Sequence, residues 1–299
     1  MPLAEVARQQ LRHVFEKLLA CEEGARIGED SESVHRMRVA TRRLRTWLQV
    51  VEGVYEHTVI RRYRRGLGHI ARVLGAVRDA DVLLAHIIAY RDALPRDQRA
   101  VVTPLVAAVA AEREHVRQEF LDVLRSGRYQ RFTQAFATFV STPSSGVLPS
   151  PEPGVTQRVC DFAGSAIWRR YELWRAYETA LTGADDELLH AARIAGKHLR
   201  YTLELFAETL GPNVTPLLEP LAALQDTLGA LQDSVTAHVQ IAALGLAGDP
   251  ATQTYLAARS TEHAVQRAEL PLQWQMVASA AYRQQLLGAL LTLHERPHR

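Results

Sequence analysis

Basic side chains recur at one-turn spacing in a stretch near residue 35 that predicts a helix. At about 100° per residue the basic positions fall within a wedge of roughly 80°. They are His35, Arg38, Arg42 and Arg45, which we call the first ladder. The opposite side of the same helix carries the apolar residues Met37, Leu44, Leu48 and Val51. One face of this helix can therefore pack into a core while the other presents basic groups.

A second stretch repeats this arrangement near residue 190. Its basic face, the second ladder, consists of His190, Arg193, Lys197 and Arg200. Its apolar face consists of Ala192, Leu199, Leu203 and Phe206. The ladders lie 155 residues apart, and residues 74–79 match residues 228–233 at a spacing of 154. Self-similarity over so long a period indicates duplicated domains rather than a solenoid of short repeats.

The charge pattern favours an anionic polymer as the partner. Residues 31–78 hold eleven arginines against three glutamates, although the net charge of the whole chain is only +2. Residues 1–150 hold 23 Lys and Arg against 17 Asp and Glu, whereas residues 151–299 hold 12 against 16. The guanidinium group offers a fixed fork of donors that suits phosphate oxygens. A basic band in a nearly neutral protein therefore predicts a polyanion held at one place.

Helical periodicity runs through the whole chain, and no stretch alternates as a strand would. The pattern predicts helices over 2–25, 31–52, 58–92, 95–125, 129–140, 156–181, 185–210 and 214–246, and further helices to about 294. We therefore expect an all-α protein with two repeats, each resembling a four-helix bundle. The predicted domains are residues 1–142 and 155–299, joined by a Pro- and Ser-rich linker over 143–154. A pseudo-two-fold pairing of the repeats would place both ladders around one basic groove.

The sequence resembles the conserved histidine α-helical domain (CHAD) family. The resemblance rests on His-x-x-Arg-x-x-x-Arg-Arg-Leu-Arg at 35–45, its repeat at 190–200, and Leu-Gly-x-x-Arg-Asp at 74–79. It implies two helical bundles related by an internal two-fold, and a basic surface that binds inorganic polyphosphate. It also suggests association with polyphosphate granules.

The resemblance implies a set of polyphosphate-binding residues in each repeat. These are His35, Arg38, Arg42, Arg43, Arg45, Arg78, His190, Arg193, Lys197 and Arg200. Helical spacing adds a further basic face on the third predicted helix, made of Arg61, Arg65 and Arg72. The second repeat departs from the first, because Gln232 replaces Arg78, and Leu218 and Glu219 replace Arg64 and Arg65. We therefore expect the second repeat to contribute less.

Individual polar residues receive narrower predictions. His35 and His190 are expected to donate to phosphate oxygens, more strongly when protonated below about pH 6.5. Asp79 and Asp233 are expected to pair with nearby cations or to cap turns. Asp81 falls on an apolar stripe, so we predict a structural salt bridge for it, with Arg78 as the partner.

Signatures of catalysis are missing from the sequence. The glycines of Gly66-Leu-Gly68 are not followed by the Lys-Ser/Thr of a phosphate-binding loop, and no Cys/His cluster has zinc spacing. We predict a protein that is not an enzyme, with no catalytic residue, metal or cofactor. A basic helical nucleic-acid-binding protein is the alternative, although the basic band has few aromatic residues for base stacking. An enzyme acting on phosphoanhydrides is less favoured.

Composition also bounds the cellular setting. No apolar run approaches the roughly 18 residues that span a bilayer, and no secretory signal is visible. Cys21 and Cys160 lie far apart, as is typical of reduced thiols in the cytoplasm. We expect a cytoplasmic protein without a membrane partner. The sequence leaves a homo-oligomer open.

Overall fold

Helices account for all regular structure in the parts of the chain that the computed structural model describes, which are residues 1–28, 30–149, 157–181 and 186–295. No strand forms within these ranges; two isolated β-bridges, Pro2–Arg158 and Tyr55–Val147, are the sole extended pairings there. The α-helices of the first half are α1 (Leu3–Ala20), α2 (Glu22–Ile27), α3 (Glu32–Val50), α4 (His57–Ala93), α5 (Thr103–Arg125) and α6 (Gly127–Ser141). Those of the second half are α7 (Val159–Arg175), α8 (Asp186–Leu205), α9 (Ala207–Leu210), α10 (Thr215–Ala243), α11 (Pro250–Ala278) and α12 (Ala280–Glu295). The predicted all-α class is confirmed.

Four predicted helices are interrupted where the sequence suggested continuity. The helix predicted over 2–25 breaks at Cys21 into α1 and α2. A 3-10 turn, Arg99–Val102, precedes α5, and another, Ala176–Leu181, continues α7. The helix predicted over 185–210 ends at Leu205 and resumes as the short α9. The predicted starts at 156 and 185 lie outside the described residues.

Both ladder helices bury the faces that periodicity assigned to the core. Met37, Leu44, Leu48 and Val51 are fully buried, and so are Ala192, Leu199 and Leu203, with Phe206 nearly so. The indole Nε1 of Trp47 on α3 donates a hydrogen bond to the carbonyl of Tyr201 on α8, at 2.6 Å. Because α3 and α8 pack directly against each other, the two ladders lie side by side.

The long helices frame this central pair. Helix α3 packs along α4, and α4 along α5; in the second half α8 packs along α10, and α10 along α11. The C-terminal parts of α4 and α10 meet the N-terminal parts of α5 and α11 in a small apolar cluster, which includes Ile87, Val109, Ile241 and Tyr255. A larger cluster of buried apolar residues joins both halves of the chain, and its members range from Leu3 on α1 to Leu293 on α12. The internal two-fold and the domain division stay predictions, and residues 150–154 of the predicted linker lie outside the described ranges.

Gly196 allows α8 to approach its neighbours closely. A Cβ atom at this position would lie 2.3 Å from Nε2 of Gln225 on α10 and 3.0 Å from Nε1 of Trp174 on α7. Trp174 is fully buried and stacks on Trp274 with ring centroids 4.0 Å apart. The glycine therefore sets how deeply α8, with its ladder, sits between α7 and α10.

Asp81 makes the expected structural salt bridge with a different partner from the one predicted. Its carboxylate, 6% exposed, accepts a hydrogen bond from Nε of Arg113 on α5 at 2.6 Å. The prediction of Arg78 as partner is wrong, because Asp81 points into the α4–α5 seam. In the described ranges no helix combines the length and apolarity needed to cross a membrane.

Candidate anion-binding pocket

A pocket of about 420 Å³ opens where α3, α4, α8 and α10 meet. Helices from both halves of the chain line it, so neither half could form it alone. Its lining residues are Arg38, Arg42, Arg45, Thr46, Gln49, Arg64, Asp79, His190, Arg193, Ile194, Lys197, His198, Tyr201, Gln232, Asp233 and Thr236.

The pocket brings together members of both predicted ladders. The first ladder contributes three arginines and the second contributes a histidine, an arginine and a lysine. These residues are Arg38, Arg42, Arg45, His190, Arg193 and Lys197. They converge because the buried faces of α3 and α8 pack together, which leaves the basic faces adjacent along one side. The second repeat thus supplies as many of these predicted residues as the first.

Cations outnumber carboxylates in this pocket. Arg64 of α4 joins four ladder arginines and one lysine, and the lining carboxylates are Asp79 and Asp233. Nη2 of Arg38 lies 3.2 Å from Oδ1 of Asp79, so the predicted pairing of Asp79 with a cation is confirmed. Burial raises the pKa of Asp79, and Asp233 adds to this, while Arg38 opposes it. A strong excess of positive charge remains for an anionic ligand.

Crowding of the cations perturbs their protonation. Burial, with Arg38 as the next contribution, lowers the pKa of Arg42 to about 10. Burial also lowers the pKa of Lys197, and Arg42, Arg193, Arg38 and Arg200 lower it further, to about 5. The pKa of Lys197 thus lies well below the ordinary range of a lysine.

Two predicted residues turn away from the pocket toward a shared carboxylate. Nε of Arg43 lies 2.7 Å from Oε2 of Glu204, and Nε of Arg200 lies 3.5 Å from Oε1 of the same side chain. Both guanidinium groups also lie over the ring of Tyr201, at 5.9 and 5.3 Å from its centroid. Arg43 thus ties α3 to α8, and Arg43 and Arg200 both pack on the ring of Tyr201.

The remaining predicted residues lie around the rim or farther out. Arg72 lines an adjoining hollow together with three ladder arginines, Arg38, Arg42 and Arg45. Arg61 and Arg65 are exposed on α4 and line neither cavity. His35 and Arg78 do not line the pocket either; burial, with Arg78 next, lowers the pKa of His35.

Histidines near the pocket are held by neighbouring side chains. His190 Nδ1 contacts the amide oxygen of Gln232, the residue that replaces the arginine of the first repeat. His198 Nδ1 lies 3.4 Å from Nη1 of Arg170 on α7. Burial, with Arg170, Arg45 and Arg64 as further contributions, lowers the pKa of His198 to about 4. His198 is thus a neutral group at the pocket wall.

The sequence interpretation missed Arg64 and His198 as lining residues. His198 follows Lys197 and lies about 100° from it on an ideal helix, so the ladder pattern excluded it. Arg64 lies on α4, and its approach depends on how α4 packs against α3. In the described ranges no group of three or more His, Cys, Asp or Glu side chains could hold a metal ion.

Comparison with solved structures shows the same fold elsewhere. The crystal structure of the CHAD domain from the plant Ricinus communis superposes with a TM-score of 0.68 and 23% identity, covering 99% of this chain and 93% of that one. PptA from Streptomyces chartreusis gives a TM-score of 0.68 with 16% identity, covering 97% of this chain and all of that one. At these identities the likeness establishes the fold alone.

Sequence comparison adds curated relatives and a family. Two uncharacterized proteins of Mycobacterium tuberculosis, MT2285 and Rv2226, are each 30% identical over 270 residues. The match covers 84% of this chain and 47% of each relative, so the chain spans about half their length. The model of the CHAD domain matches residues 9–242. Ladder motifs, helical fold and family model agree, and the chain belongs to the CHAD domain family.

Proposed function

We propose that this protein binds inorganic polyphosphate in the pocket between α3, α4, α8 and α10, and that it does so without catalysis. The observation that carries the proposal is the convergence of both ladders on one pocket with a large excess of cations over carboxylates. CHAD domains are known in polyphosphate-related proteins, which favours this polyanion over others.

The shape and chemistry of the pocket suit a polymer of phosphate units. Arginines one helical turn apart, about 5.4 Å along the axis, can contact successive phosphates of one chain. The adjoining hollow that Arg72 lines continues the cationic surface beyond the pocket. Many modest contacts to one polymer then combine through high effective concentration.

Nucleic acid fits this pocket less well. Of the described residues that line it, Tyr201 is the single Phe, Tyr or Trp, and its ring lies under Arg43 and Arg200. Binders of single strands instead present exposed rings on which bases stack. Inorganic polyphosphate needs no such surface because it carries no bases.

A titration with competitor separates the proposed function from its alternatives. Long-chain polyphosphate is titrated into the protein in the presence of excess DNA, and released orthophosphate is assayed with and without Mg²⁺. We expect retained binding and no release. Displacement by DNA would instead indicate a nucleic-acid-binding protein, and phosphate release would indicate an enzyme.

A matched pair of variants on α3 tests the location. Arg45→Glu reverses an exposed charge in the pocket, whereas Arg36→Glu reverses an exposed charge on the same helix outside it. We expect Arg45→Glu to weaken polyphosphate binding by about tenfold or more, as loss of a charge-assisted contact implies. Arg36→Glu should change the affinity much less. Equal effects of both variants would show that binding is a diffuse response to net charge.

We further propose that the protein lies in the cytoplasm and gathers on polyphosphate granules. A fluorescent fusion should form foci in cells that store polyphosphate and spread evenly in cells that lack polyphosphate synthesis. Foci that persist without the polymer would contradict this localisation.

A further inference from the structure

We propose that Lys197 acts as a proton-coupled contact, an uncharged amine in the protein alone that takes up a proton from water when polyphosphate enters the pocket. This inference rests on the proposed function and adds a regulation to it: binding consumes a proton and therefore weakens as the pH rises.

The geometry around Lys197 sets up this coupling. Lys197 lines the pocket together with three arginines, Arg38 and Arg42 of α3 and Arg193 one turn earlier on its own helix. Carboxylates face the same pocket from α4 and α10, namely Asp79 and Asp233. Of these two, Asp79 is already paired with Arg38. The side chain of Lys197 is also partly buried.

An entering polyanion changes the surroundings of Lys197 in ways that all favour its ammonium form. Phosphate oxygens that bind Arg42 and Arg193 cancel the repulsion that those guanidinium groups exert on an ammonium at Lys197. The phosphates also supply acceptors for three N–H donors. The pKa of Lys197, about 5 in the protein alone, therefore rises on binding, and the neutral amine becomes an ammonium ion.

Two histidines also line the pocket. His198 has its pKa lowered to about 4 by burial and by Arg170, Arg45 and Arg64, which is about one unit below the pKa of Lys197. His190 is exposed and contacts Gln232. Interior phosphates of a long chain are strong acids that do not titrate near this pH. Lys197→Met therefore separates proton uptake at Lys197 from uptake at these histidines.

The lysine content of the chain makes a direct test practical. Lysines occur only at positions 17 and 197, and Lys17 is exposed on α1. Protein labelled with ¹³C,¹⁵N-lysine should give two side-chain ¹³Cε signals at pH 8. We expect the Lys197 signal to show a neutral amine, and to move to the ammonium position when long-chain polyphosphate is added. The Lys17 signal should stay in place as the internal reference.

Calorimetry measures the same event as a proton count. Long-chain polyphosphate is titrated at pH 8 in two phosphate-free buffers with different ionisation heats. We expect uptake of about one proton per bound site, and an affinity that falls about tenfold per pH unit between pH 7 and 9. Lys197→Met should bind without this uptake, and Lys17→Met should match the wild type.

The outcomes separate the two proposals. If the wild type does not bind polyphosphate, the proposed function fails and this inference fails with it. If the wild type binds but the Lys197 ¹³Cε signal stays neutral, or if Lys197→Met keeps the proton uptake, the coupling is overturned while the proposed function stands. The labelling experiment needs no substitution, so it decides the matter even if Lys197→Met misfolds.

Discussion

Replacement of Lys197 by methionine should stabilise the protein in the absence of polyanions, and more so at lower pH. The ordinary pKa of lysine is 10.5, and burial together with the surrounding arginines lowers it to about 5 in the folded protein. Between these values the unfolded chain binds a proton at Lys197 that the folded chain does not. Unfolding then takes up a proton, so the free energy of unfolding rises with pH across this window.

The expected change in unfolding free energy follows from the pH range between the folded and unfolded pKa values of Lys197. Each pH unit inside it changes the contribution of Lys197 to the free energy of unfolding by about 1.4 kcal/mol. From pH 6 to pH 8 the wild type should gain about 3 kcal/mol from this residue, and Lys197→Met should lack that gain. The stabilisation by Lys197→Met should therefore be about 3 kcal/mol larger at pH 6 than at pH 8. Packing of the methionine affects both values equally and cancels from the difference.

Chemical denaturation at the two pH values provides the assay, in buffers free of phosphate, sulfate and polyanions. Lys17→Met is the matched control, because Lys17 is exposed on α1, and it should follow the pH dependence of the wild type. The reasoning is refuted if Lys197→Met shows the same change in unfolding free energy between pH 6 and pH 8 as the wild type.

Three further outcomes are expected. Gly196→Ala should cost about 1–3 kcal/mol in chemical denaturation because its Cβ would clash with the buried side chains of Gln225 and Trp174. Gly229→Ala, whose Cβ meets open space in α10, should be neutral or slightly stabilising. Arg113→Met should cost about 3 kcal/mol because it leaves the buried carboxylate of Asp81 without its partner, and a loss below about 0.5 kcal/mol would show that the pair contributes no more than a surface pair. The logarithm of polyphosphate affinity should fall linearly with the logarithm of salt concentration, with a slope of about −4 if six cations each neutralise a phosphate; a slope near zero would exclude an electrostatic site.

Helical periodicity predicted the orientation of α3 and α8 because burial of one apolar face fixes the direction of the other. Met37 and Leu199 identify the buried sides, and the basic sides follow from the 100° step. The duplication further suggested that the two basic sides would meet, as Arg42 and Lys197 do in the pocket. These features are local to one helix or repeated between two, so the sequence alone could supply them.

Features that depend on packing between helices could not be predicted in this way. Arg64 lines the pocket and Arg61 does not, because the rotation of α4 against α3 selects between them. Arg200 belongs to the ladder by spacing, yet Glu204 one turn later holds it outside the pocket together with Arg43. An i, i+4 pair of opposite charge is visible in a sequence, so Glu204 was a usable signal for Arg200. The contribution of Arg43 to the same pair required knowledge of the α3–α8 contact.

The convergence of the ladders also explains how a rigid site can exceed a flexible basic segment in affinity. Cations on a flexible segment move apart when no anion is present. Their mutual repulsion in the free state is therefore small, and a ligand gains little by cancelling it. Here the buried faces of α3 and α8 hold Arg38, Arg42 and Arg193 together against their repulsion. The pKa values of Arg42 and Arg193 are lowered first by burial and then by the neighbouring guanidinium groups. Apolar packing therefore supplies the free energy that keeps the cations close. A polyanion that enters the pocket removes the repulsion, and this relief adds to the direct contacts because it stabilises the bound state and not the free one.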